Sequence, residues 1–136
     1  MSKPDSLALA VAVAVDAAEP GVPAVLAPTR TTLRATLREL AEQHGTGDSL
    51  RPAVLAALRQ ALGNGRAAIR QQFETNGSGE ECVRRNSDLM DMLIRSLAEL
   101  VQDHIYPSAG PSTGETFDIA ATGGYGRGEM CPQSDI

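Results

Sequence analysis

Leucine recurs at helical spacing, at Leu33, Leu37 and Leu40, within the stretch TRTTLRATLRELAEQHG, with polar and charged residues between. That period predicts an amphipathic helix, capped by Thr32 and stopped at Gly45. The loop GTGDSL follows. Asp48 or Ser49 is expected to cap a second helix, with Pro52 in its first turn, where a missing N–H costs nothing. Val54, Leu55, Leu58, Leu62, Ile69 and Phe73 then give that helix a broad apolar face. Gly63 and Gly65 each weaken it by about 1 kcal/mol relative to Ala. The pattern allows one long helix with a soft middle or two helices jointed at the glycines, and the single helix is preferred.

The third helix has the clearest signal. Ser78 with Glu81 three residues on is a capping-box pattern. Leu89, Met92, Leu93, Leu97, Leu100 and Val101 then hold to i, i+3, i+4 spacing, and Glu81–Arg85 and Asp91–Arg95 are favourable i, i+4 pairs. His104 falls near the helix end, where a cation suits the dipole. After the turn-rich connector YPSAGPSTGE the period changes from 3.6 to 2. Phe117, Ile119 and Ala121 alternate with Asp118 and Ala120, which predicts a short strand running into GGYGRGEMCPQSDI.

Composition narrows what these elements build. A chain of 136 residues suits one small domain, and with 42% apolar residues, 3% aromatics and no Trp its core is aliphatic. The net charge of −5, with arginines spread along helices rather than gathered in a stripe, argues against nucleic-acid binding. Cys82 and Cys131 have no CxxC partner or neighbouring His, so reduced cytoplasmic thiols are expected rather than a metal site. The run LALAVAVAV, Leu7 to Val15, resembles a signal-peptide core, but Asp5 cancels Lys3 ahead of it. It also falls short of the roughly 20 apolar residues that span a bilayer, so no membrane partner is expected. The expected division is a leader over 1–28, a helical region over 29–106, and the start of a second unit over 107–136.

The chemistry concentrates in that last unit, where four glycines fall between Gly123 and Gly128. No Gly-Lys-Ser/Thr follows, which excludes a P-loop. The dinucleotide pattern GxGxxG fails because its third glycine would fall on Glu129 or Cys131. What remains is a strand, Gly-Gly, a loop and Ser134-Asp135. Glycines let backbone N–H groups approach an anion with no Cβ in the way, and a serine hydroxyl adds a donor. A neighbouring carboxylate can hold Mg²⁺ against phosphate oxygens. That set of parts suits metal-assisted phosphoryl or nucleotidyl transfer.

These residues resemble the signature of the nucleotidyltransferase superfamily related to DNA polymerase β. Within it, GGYGRGE followed by Pro132, Ser134, Asp135 and Ile136 resembles the PII uridylyltransferase family, with supporting likeness in the upstream helices from about Leu50 onward. The resemblance implies an α+β fold, in which a helical region leads into the first strand and glycine loop of a polymerase-β-like domain. It implies that Gly123 and Gly124 approach the UTP phosphates, that Ser134 donates to them, and that Asp135 is the first carboxylate on Mg²⁺. Arg127 would contact phosphate or pair with Glu129, the pairing being slightly favoured, and Tyr125 would be a packing residue. The implied reaction moves UMP from UTP to a tyrosine of the PII signalling protein, with glutamine as effector and hydrolytic removal in the full-length enzyme.

A second carboxylate is expected two positions past Asp135, so the chain is expected to be an inactive N-terminal fragment of a longer cytoplasmic enzyme. Three alternatives stay open: a glutamine synthetase adenylyltransferase, a non-catalytic nucleotide-binding signalling protein, and a plain helical interaction domain.

Overall fold

Three long helices carry the apolar positions, α1 over Ala27–His44, α2 over Leu50–Asn76 and α3 over Gly79–Leu100. The computed structural model describes residues 22–107 and 118–134. The Leu7–Val15 run, Phe117 and Asp135 lie outside the described residues. Short connections fold α1 back on α2 and α2 back on α3, and α1 also packs on α3. Leu33, Leu37 and Ala41 from α1 meet Leu50, Val54, Ala61 and Ile69 from α2 and Leu89, Met92, Leu93 and Leu100 from α3 in one core.

The first helix begins earlier than its pattern predicts. Pro28 occupies its first turn and Leu26, fully buried, precedes it, so Thr32 sits inside the helix and caps nothing. Proline is tolerated there because the first-turn amides have no helical acceptor. Ser49 precedes α2 but makes no capping bond, and its hydroxyl lies 2.9 Å from His44 Nδ1 across the loop.

The second helix runs unbroken through both glycines, and they differ sharply. A Cβ at Gly63 would meet nothing within 4 Å, whereas one at Gly65 would collide with both methyls of Leu89. Gly65 is therefore the notch into which α3 packs, and the apparent soft middle is a helix crossing. Leu55 and Phe73, expected on the core face, are 45% and 41% exposed.

Gly77, left-handed at φ 67°, closes α2, and Ser78 caps α3 by accepting from the Glu81 amide at 3.2 Å. The reciprocal half of the capping box is replaced. The Ser78 amide donates to Asn76, while the Glu81 carboxylate accepts from Gln72, Asn76 and Arg85. The Glu81–Arg85 pair forms at 3.3 Å, but Asp91 turns away from its expected partner Arg95 toward Tyr125. Beyond Leu100 the helix loosens into a π-helical turn, Val101–Ile105, that carries His104.

The α+β expectation is overturned. The described residues form helices and no strand or sheet. Asp118 to Thr122 is irregular apart from an isolated bridge at Ile119, and Gly123–Gly126 closes one short helical turn, α4. The physical reason is that an extended segment holds its shape only when a neighbour pairs its N–H and C=O groups. Alternation over five residues supplies little burial to stand in for that neighbour. No helix among the described residues is long and apolar enough to cross a membrane.

Candidate functional site

The glycine turn is built from backbone. Gly126, Arg127, Gly128 and Glu129 donate their amides to Thr122, Gly123, Tyr125 and Gly124 at 2.8–3.1 Å. The amides of Gly123 and Gly124, which open the turn, take no backbone acceptor among the described residues. Gly123 has φ 60°, a left-handed conformation that L side chains resist. A Cβ at Gly126 would lie 2.6 Å from the Ala121 carbonyl oxygen, so the turn folds this tightly only on glycine. At Gly124 the constraint is milder, since a Cβ there would stand 3.4 Å from the Glu129 carbonyl oxygen.

Two contacts seat this turn on α3. The Tyr125 hydroxyl donates to Asp91 Oδ1 at 2.5 Å, and the Met130 amide donates to Ser87 Oγ at 3.2 Å. Ser87 and Asp91 stand four residues apart on α3 and so share a face. Met130 is buried in the common core and Tyr125 packs against it. Burial, then the hydrogen bond to Asp91, pushes the Tyr125 phenol well above the ordinary tyrosine range, so it stays a donor.

The expected site residues separate into placed and unplaced. Gly123, Arg127 and Ser134 are exposed and Gly124 is half-buried. The Arg127 side chain pairs with Glu129 at 3.1 Å, the favoured of its two expected contacts, and stands 65% exposed. The Ser134 amide donates to Cys131 O at 3.0 Å, closing a small turn just ahead of Asp135. Asp135, expected to ligate metal, lies outside the described residues, and no group of three His, Cys, Asp or Glu side chains suited to a metal occurs among the described ones. The placed members of the expected set are two glycine amides without Cβ atoms and one exposed serine, all groups that donate hydrogen bonds.

Asp91, Ser87 and Met130 were not singled out as site residues from the sequence. Asp91 reads there as a salt-bridge partner for Arg95. A small polar residue such as Ser87, buried on a helix that carries many other polar residues, leaves only a faint sequence signal.

The chain is 56% identical to a bifunctional uridylyltransferase/uridylyl-removing enzyme of Azospirillum brasilense over 108 residues, 79% of this chain and 12% of that protein. Proteins of the same name from Rhodospirillum rubrum and Erythrobacter litoralis are 44% and 41% identical over the same shares. The chain thus spans 12% of the length of these curated relatives. No family model matches, and no solved structure does. A match of 108 residues is longer than the stretch from Leu50 to Ile136, so the likeness reaches into the residues ahead of Leu50, contrary to the expected limit.

Proposed function

This chain belongs to the family of bifunctional uridylyltransferase/uridylyl-removing enzymes, and we propose that it is the part of such an enzyme that offers a glycine turn to UTP during transfer. The observation that carries this reading is the identity to the Azospirillum brasilense enzyme, which extends over most of the chain. The turn's backbone, whose first two amides take no backbone acceptor among the described residues, supports it.

In the proposed reaction a tyrosine hydroxyl of the PII signalling protein attacks the α-phosphorus of UTP. An oxygen–phosphorus bond to the tyrosine forms, the bond to the β-phosphate oxygen breaks, and pyrophosphate leaves. Gly123 and Gly124 bring amides to the phosphates without steric obstruction, and Ser134 adds its hydroxyl. Arg127, exposed beside Glu129, is within the same turn and can exchange its carboxylate partner for a phosphate. Asp135 would hold Mg²⁺, which when bound neutralises triphosphate charge and lowers the barrier to attack. Glutamine acts as effector, and the reaction runs in the cytoplasm. Two metal ions need more than one carboxylate, and the resemblance assigns only Asp135 here, so the 136-residue polypeptide by itself is not expected to turn over UTP.

The test uses the full-length protein. Asp135→Ala and Gly124→Ala are assayed for UMP transfer from labelled UTP to PII, with ATP as the competing donor. Asp135→Ala is expected to lower transfer about a hundredfold or more, with UTP preferred over ATP. Undiminished transfer in both variants would refute the assignment, and preference for ATP would favour adenylyl transfer.

A further inference from the structure

Three of the four residues of α4 are glycine, so Tyr125 is the one side chain by which the turn can be held. A glycine turn cannot position itself by packing, and its backbone has more freedom to lose than any other. Its neighbours nevertheless tie it to a rigid helix at two points. Tyr125 reaches 34 residues back to Asp91, and Met130, just past the turn, reaches 43 residues back to Ser87. Ser87 Oγ also donates to the Val83 carbonyl at 3.2 Å, so the acceptor is itself held in place. The Tyr125 bond joins a phenol to an aspartate side chain in a half-buried setting.

We propose that Asp91 and Tyr125 form a latch that positions the glycine turn for its nucleotide, making both of them positioning residues for the transfer reaction. The inference rests on the function proposed above. Tyr125 directly follows the two glycines whose amides open the turn, so the latch sets where those amides point. Releasing it leaves the binding-competent turn only fractionally populated. The apparent affinity for UTP then falls by that fraction, while chemistry in the competent fraction is unchanged. A role confined to stability behaves differently. It lowers the amount of active enzyme, so kcat for transfer and the uridylyl-removing activity fall together at constant KM.

The experiment measures both activities of the full-length protein in Tyr125→Phe, Asp91→Ala, Asp91→Asn and the Tyr125→Phe/Asp91→Ala double variant. Tyr125→Phe keeps the packed ring and removes the donor, and Asp91→Asn keeps an acceptor oxygen. Tyr125→Phe and Asp91→Ala are expected to raise KM for UTP about tenfold, the equivalent of one charge-assisted hydrogen bond. The double variant is expected to be no worse than Asp91→Ala, because the two groups share one interaction. Asp91→Asn should recover part of the loss, since a neutral acceptor gives a weaker bond than a charged one, with kcat and UMP removal near wild type throughout. An unchanged KM for UTP, or parallel loss of kcat and removal, would overturn the latch. Absence of UMP transfer from UTP by the unmodified protein would overturn the proposed function and the latch with it, so the two failures read differently.

Discussion

Gly63 and Gly65 stand two residues apart in α2 and look alike in the sequence, yet their surroundings give opposite expectations. Gly63 is exposed with open space at its Cβ position, so Gly63→Ala should stabilise the chain by about 0.5–1 kcal/mol through reduced backbone freedom. Gly65 is buried against Leu89, itself fully buried, so Gly65→Ala drives a methyl into a side chain with nowhere to go. Overpacking of that kind costs roughly 1–3 kcal/mol. Denaturant unfolding of the two variants checks this, and equal effects would show that the α2–α3 crossing is looser than described. Helix propensity alone treats both glycines as weak points. The identity of the neighbour at Gly65 was not legible, because Leu89 lies on another helix.

Among the elements, the α2–α3 hairpin was the most readable from its residues, since its signals are local. Gly77 and Ser78 end one helix and start the next, and the cap bond spans three residues. Removing it in Ser78→Ala should cost about 1 kcal/mol, read as a lowered unfolding midpoint with unchanged denaturant dependence. What the local pattern missed is the other half. Glu81 spends its carboxylate on Gln72, Asn76 and Arg85, stitching the last turn of α2 to the first of α3. Two of those partners lie on the preceding helix, and a capping-box pattern counts only within one. The expected strand failed for a related reason. Alternation at Ile119 and Ala121 states a preference, but a strand exists through its neighbour's hydrogen bonds.

At the scale of the whole molecule, α3 is the shared element. One part of its surface meets α1 and α2, and Ser87 and Asp91 receive the glycine turn. This arrangement has a pH signature. The Tyr125 phenol is held protonated above the tyrosine value of 10.0 in the folded chain. Folding therefore gains from it fully below about pH 10, and the gain is lost as pH rises beyond that, where the unfolded chain releases the proton first. The stability gap between wild type and Tyr125→Phe should hold constant across neutral pH and change only in strong alkali, as thermal unfolding against pH would record. A gap that varied near neutrality would mean that another group governs the contact. The sequence by itself determined the three helices, the cap at Ser78 and the glycine turn with its Ser134-Asp135 sequel, because each is written in the spacing or type of near neighbours. Only the tertiary structure decided that Gly65 is a notch, that Asp91 serves Tyr125 rather than Arg95, and that Met130 belongs to the core. Those outcomes join residues far apart in the chain, Gly65 with Leu89, Asp91 with Tyr125 and Ser87 with Met130, and such pairings are settled by how helices pack, which no local period encodes.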